Sequence, residues 1–235
     1  MKKRKIAVIG LGKFGINLVK FLSEKDVEAI AIDSDASKLE KVRDIATETL
    51  QLDSTDKEAL EKSGIVEADV VVVGVGENIE ASILTTTLLK ELGAKEIIAR
   101  AINSLHAQIL QRAGASRIVF PEKDMAVRLG HFILYPGIRD YLKLIGRWDI
   151  SEIEIGPGSQ FIGKTLKEIA PRSKYHVNIL MIEKVKERPT DSEVEAEIIK
   201  IKEFPREDYL IEERDILITS GEDKNLEDFE KACAE

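Results

Sequence analysis

A doubly wound α/β sheet followed by a small α+β domain is the architecture this sequence predicts, and three observations predict it. From Lys5 to Phe120, short apolar runs alternate with amphipathic helical stretches. The runs are almost continuously apolar, as in Val70-Val71-Val72-Val73, which suits parallel strands buried on both faces. After Trp148 the pattern changes to period-two strands.

The first-domain strands are "KIAVIG", "VEAIAID", "ATETLQLD", "ADVVVVGVG", "EIIARAI" and "SRIVFP". Right-handed crossovers between them leave a ligand crevice at the carboxyl ends of the strands. Residues 121 to 148 read as a helix, a break at Pro136-Gly137 and a second helix, because proline forbids the helical bond and glycine relaxes the backbone. Met125, Leu129, Phe132 and Ile133 fall on one helical face, and Ile138, Tyr141, Leu142 and Ile145 extend the stripe. This segment is either a final helix packed on its own sheet or a crossover and dimerisation arm. The expected domains are 1–140, with crossover helices over 121–146, and 147–230. In the second, "ISEIEI", "HVNILMIE", "EVEAEIIKIKEF" and "RDILITSG" are strands, "GKTLKEI" is a short helix, and the charged stretch 184–197 is an exposed hairpin connection.

Composition narrows the function classes. With 43% hydrophobic residues the chain can bury a core, and its apolar runs fall far short of the roughly 20 residues that span a bilayer. Met1-Lys2-Lys3-Arg4 runs into a strand rather than a signal-peptide core, so a cytoplasmic protein without direct membrane insertion is expected. A net charge of −8 repels nucleic acid. The single cysteine, Cys233, allows neither an intrachain disulfide nor a cysteine metal cluster.

Gly10, Gly12 and Gly15 form Gly-x-Gly-x-x-Gly between a strand and a helix. The first permits a tight turn, the second lets backbone amides approach a diphosphate, and the third lets the helix pack on the strand. Helix N-terminal amides then hold phosphates, and Phe14 lies in the same turn. A strand-to-helix turn without a ligand is the competing reading. Asp33, with Ser34 beside it, stands about 20 residues on, where an acid accepts ribose hydroxyls and repels a 2′-phosphate, so NADP is disfavoured. Lys13 either neutralises a terminal phosphate or is a solvated lysine. Asp53-Ser54-Thr55 and Gly74-Val75-Gly76 end the third and fourth strands on the same edge, with Asn78 just beyond; they read as the adenine and ribose walls, with Gly74 and Gly76 as plain turn residues the competing reading. Asp53 and Thr55 compete for a role as caps of the helix near Lys57.

"GLGKFG", "DSD", "GVGENIEASILTTTLLKELGA" and above all "IVFPEKDMA" resemble the RCK (KTN) family, the cytosolic regulatory subunits of Trk/Ktr-type bacterial potassium uptake systems. "GSQFIGKTLKEI", "HVNILMIEK" and "FPREDYLIEERDILITSG" are similar to the family's C-terminal domain. The resemblance implies a non-catalytic subunit that binds an adenine nucleotide, with ATP or ADP favoured and NAD or NADH the alternative. It implies homodimers assembling into a ring, an octamer, that gates a potassium-translocating integral membrane subunit from the cytoplasmic face. It places Gly10, Gly12, Lys13 and Gly15 at phosphates, Asp33 at the ribose, and residues 53–55 and 74–76 at the adenosine. Arg100 matches a basic position near the phosphates. Glu122 matches an acid that helps hold a cation there; a first-turn acid favoured by the helix dipole is the other reading. Two features depart from the family: Arg214-Asp215 replaces Gly-Asp, and the charged connection at 184–197 is longer than typical; Lys13, moreover, is often Arg among relatives. A cyclic-dinucleotide site in the second domain therefore does not carry over.

An NAD-dependent dehydrogenase would share the glycines and Asp33, but hydride chemistry needs a proton donor or acceptor. The three histidines, His106, His131 and His176, have no sequence-local carboxylate motif. A ligand-free assembly scaffold is the third class.

Overall fold

The computed structural model describes residues 3–76, 78–144, 148–188 and 197–234. The chain divides into two compact units, Met1–Glu122 and Lys123–Glu235.

In the first unit, β1 (Arg4–Ile9), α1 (Lys13–Ser23), β2 (Val27–Asp33), α2 (Ala36–Glu40), β3 (Glu48–Gln51), α3 (Lys57–Ser63), β4 (Val70–Val73), α4 (Ile79–Glu91), β5 (Ile97–Arg100), α5 (Ser104–Ala113) and β6 (Arg117–Val119) alternate as expected. The strands form a parallel sheet in the order β3-β2-β1-β4-β5-β6. That order reverses direction at β1, and the reversal opens a crevice above the carboxyl ends of β1 and β4. The apolar runs meet core on both faces: Ala7, Ile9, Val71 and Val73 face one cluster, and Val8, Val70 and Val72 the other. Helix ends follow local chemistry. Asp35 caps α2 by accepting from the Ser37 N–H at 2.9 Å, and Asn103 caps α5 by accepting from the His106 N–H at 2.8 Å.

In the second unit, α6 (Pro121–Leu134, begun at the end of the first), β7 (Ile138–Lys143), β8 (Asp149–Glu154), α7 (Leu166–Ile169), α8 (Pro171–Lys174), β9 (Asn178–Arg188), β10 (Glu197–Glu203), β11 (Ile216–Gly221) and α9 (Asp223–Ala234) follow. The sheet order is β10-β9-β11-β8-β7, and its pairings are antiparallel. Its core gathers Ile153, Ile155, Ile182, Leu217 and Phe229, with Phe161 and Tyr175 against the Phe229 ring.

Two sequence expectations are corrected here. The second helix after Pro136-Gly137 is instead strand β7, paired with β8. A register shift between Ile138 and Asp140 puts Ile138 and Tyr141 on the buried face three residues apart, a spacing that imitates a helical stripe. The Tyr141 hydroxyl donates to Asp149 Oδ2 at 2.6 Å, anchoring β7 to β8. Ile145, assigned to the same stripe, lies outside the described residues, as does most of the 184–197 connection. The single apolar face expected on α6 is split: Phe132 packs with Val127 and Tyr135 on the second core, whereas Met125, Leu129 and Ile133 are exposed. No helix among the described residues is long and apolar enough to cross a membrane.

Candidate functional site

A cleft of about 650 Å³ opens at the carboxyl edge of the parallel sheet, within the size range of small-molecule sites. Its floor is the turn between β1 and α1. Gly10 adopts φ +91°, and a Cβ there would lie 2.9 Å from the Val75 amide nitrogen. Gly15 brings α1 so close that a Cβ would lie 2.1 Å from the Gly10 carbonyl oxygen. Gly12 lines the cleft and precedes α1 with no side-chain cap and, among the described residues, nothing within 4 Å of a Cβ built on it, so the first-turn amides of the helix are left without a side-chain acceptor. Lys13 and Phe14 line this end.

The end of the cleft where a ribose is expected is built by the turn after β2. Asp33 Oδ2 accepts from the Leu11 N–H at 2.7 Å and Oδ1 from the Asp35 N–H at 2.9 Å. Lys38 Nζ lies 3.3 Å from Oδ2, and Lys38 and Ser34 both line the cleft. Lys38 escaped the sequence reading because its place depends on the Ser34-Asp35 turn, although the spacing Asp-x4-Lys was the available signal.

On the opposite wall, Asp53 Oδ1 accepts from the Thr55 N–H at 2.9 Å and its Oγ1–H at 2.7 Å, and these bonds hold the Asp53 carboxyl below its ordinary pKa. Neither residue caps α3; that task falls to Asp56, which accepts from the Glu58 and Ala59 amides. Ser54 Oγ lies 2.8 Å from Thr85 Oγ1, which donates to the Ser54 carbonyl at 3.2 Å. Gly74, Val75 and Gly76 pass beneath the cleft, and Asn78 caps α4 by accepting from the Ala81 N–H at 3.0 Å. Glu77 lies outside the described residues.

Arg100, at the end of β5, lies over Gly76, where a Cβ would come within 2.7 Å of the guanidinium. Its Nη2 donates to Glu122 Oε1 at 2.5 Å, while Nε is buried and has no hydrogen-bond partner among the described residues. The cleft therefore gathers every proposed nucleotide residue except Gly15, which shapes it from behind, and it also contains Glu122. The histidines lie outside it. His106 is 2% exposed, and burial pushes its pKa down; His131 stacks on Tyr141 at 3.5 Å in the second unit. Among the described residues no group of three or more His, Cys, Asp or Glu is placed to hold a metal ion.

The TrkA-N domain model matches residues 6–121 and the TrkA-C domain model residues 150–234. Ktr system potassium uptake protein C of Bacillus subtilis is 39% identical over 229 residues, covering 97% of each chain. Ktr system potassium uptake protein A of the same organism is 31% identical over 230 residues, 98% of this chain and 97% of the relative. Among solved structures, a GsuK channel bound to NAD superposes with a TM-score of 0.62 at 19% identity; it covers all of this chain, which spans only 40% of that one. The RCK domain of GsuK gives 0.62 at 18% identity, with 48% of that chain covered. These likenesses show a shared fold. Together with the two matched domains and the relatives aligned along nearly the whole length, they place this chain in the RCK (TrkA-N/TrkA-C) family that includes the Ktr potassium uptake proteins.

Proposed function

We propose that this chain is a regulatory subunit that binds an adenine nucleotide in the cleft and gates a potassium-translocating membrane protein from the cytoplasmic side. The observation that carries nucleotide binding is Arg100: a cation 17% exposed at the cleft, with one N–H donor buried and, among the described residues, unpaired. Such a donor costs free energy until an acceptor arrives, and phosphate oxygens held by the Gly12 turn are acceptors of the right charge. Lys13 adds a point charge for a terminal phosphate, which favours ADP or ATP, with NAD and NADH as the alternative dinucleotides. Glu122 is the residue that would give a carboxylate to a cation at the phosphates, since one carboxylate with phosphate oxygens and water suits Mg²⁺.

Regulation needs only a ligand with different affinity for two conformations, not a catalytic group, and none of the histidines lines the cleft. That supports a sensor over a dehydrogenase. Association into homodimers is supported by apolar side chains left exposed on α4 and α5, Ile79, Leu84 and Leu105, and on α6, Met125, Leu129 and Ile133; closure of the dimers into an octameric ring is what the family resemblance implies. The relatives' names, Ktr potassium uptake proteins, supply the transported ion.

The test is potassium flux through a Ktr-type membrane subunit reconstituted in vesicles with this chain. Flux that changes between ATP and ADP supports the proposal. Flux indifferent to the chain and to nucleotide overturns it.

A further inference from the structure

The ribose end of the cleft meets a ligand with a cation rather than a bare acid. The Asp33 side chain is only 6% exposed. A carboxylate offers about four lone-pair directions, and the amides of Leu11 and Asp35 occupy one on each oxygen. Lys38 Nζ straddles the rest, 3.4 Å from Oδ1 and 3.3 Å from Oδ2. These separations are longer than the ~2.7–2.9 Å of a tight charge-assisted bond. The ammonium thus rests over the carboxylate without being locked to it, and the Lys38 side chain is 40% exposed where Asp33 is covered.

An acid at the end of the second strand excludes a 2′-phosphate only if its charge faces the ligand. Here that charge is held by two backbone donors and screened by an ammonium lining the same cleft. The neighbouring acid, Asp35, is itself occupied in capping α2, and Lys41 as well as Lys38 acts on it. We propose that Lys38 sets the specificity of the ribose subsite, letting the cleft accept adenine nucleotides that carry a 2′-phosphate as well as those with a free 2′-hydroxyl. The ammonium turns from Asp33 to the phosphate, and the two amides continue to hold the Asp33 charge. This reverses the exclusion of NADP expected from Asp33 alone, and it rests on the reading that the cleft binds an adenine nucleotide.

The test is calorimetric titration of the full chain with NAD and NADP, which differ only at the 2′ position, and of the Lys38→Gln and Lys38→Arg variants. The expected result is an NADP dissociation constant within about tenfold of that for NAD in the unmodified chain. Lys38→Gln raises the NADP-to-NAD ratio of dissociation constants by at least about tenfold, and Lys38→Arg keeps it low, because the loss is one of charge next to phosphate. NADP binding more than about tenfold weaker than NAD in the unmodified chain overturns the proposal. So does a Lys38→Gln variant that leaves the ratio unchanged. AMP against adenosine 2′,5′-bisphosphate on the unmodified chain gives the same comparison without any variant. If NAD, NADP and ADP all fail to bind, the nucleotide reading itself falls and takes this proposal with it; binding of NAD with rejection of NADP removes this proposal alone.

Discussion

Replacing Gly12 by Asp separates folding from ligand binding. Among the described residues nothing lies within 4 Å of a Cβ built at Gly12, and the residue caps α1 with φ −72°, a backbone any residue adopts. Asp is a better N-cap than Gly by a few tenths of a kcal/mol, and a negative charge at a helix N-terminus adds about 0.3–1 kcal/mol. Stability should therefore hold or rise by up to about 1 kcal/mol, a Tm change of a few degrees. The same carboxylate sits where phosphate must approach. At about 4 Å and an effective dielectric of about 20, its repulsion is about 4 kcal/mol per charge, roughly three decades in affinity. Gly15→Ala is the contrasting variant. Its Cβ would lie 2.1 Å from the Gly10 carbonyl oxygen, so α1 must move away from a sheet it covers with Val19 and Leu22. Overpacking of this kind costs about 1–3 kcal/mol or more. Thermal unfolding and calorimetric titration with ADP read both effects. Gly12→Asp that still binds ADP within about tenfold of the unmodified chain, or that unfolds as early as Gly15→Ala, would refute this account of the turn.

Arg214 holds φ +67° where the family resemblance leads one to expect glycine; Arg214→Gly relieves a left-handed backbone and should stabilise the second unit by up to about 1 kcal/mol in urea denaturation. Burial pushes the Glu230 carboxyl up, with the Gly137 N–H at 3.1 Å opposing it. The native state thus holds this proton to higher pH than the unfolded chain, so its contribution is present below the ordinary glutamate pKa and is lost as pH rises through the raised value. Glu230→Gln should then gain stability near pH 8 relative to pH 4 in denaturant titrations; a gain independent of pH contradicts the assignment. Phe229→Ala removes a fully buried ring packed between Phe161 and Tyr175 and should cost about 3–5 kcal/mol by the same assay. In Mg²⁺-free buffer, Glu122→Gln releases Arg100 from its 2.5 Å partner and should tighten ADP binding in calorimetry; weakened binding there would mean that Glu122 orients Arg100 rather than competing for it.

The parallel sheet was legible because burial on both faces demands apolar runs such as Val70–Val73, and few other structures use them. β7 was misread because its bulge gives Ile138 and Tyr141 a helical spacing. Helix α9 went unread although Leu226, Phe229 and Cys233 recur at three and four residues, since the charges around them dominate the segment. In the cleft, Gly10 and Gly15 were legible because a left-handed turn and a close helix approach require glycine, and Gly12 because it completes their spacing. Lys38 and the Asp56 cap carried local signals, an Asp-x4-Lys spacing and an acid just before a helix, that went unread, whereas the Arg100–Glu122 pair depends on a strand end and a helix start brought together by folding. Local sequence patterns do not encode such meetings.

Whether the unmodified chain binds an adenine nucleotide is measured by calorimetric titration with ATP, ADP, NAD and NADH. Saturable binding of at least one of the four, lost in Gly12→Asp, is the result predicted. No binding of any of them at millimolar concentration would contradict the account and leave an assembly scaffold as the reading of the fold.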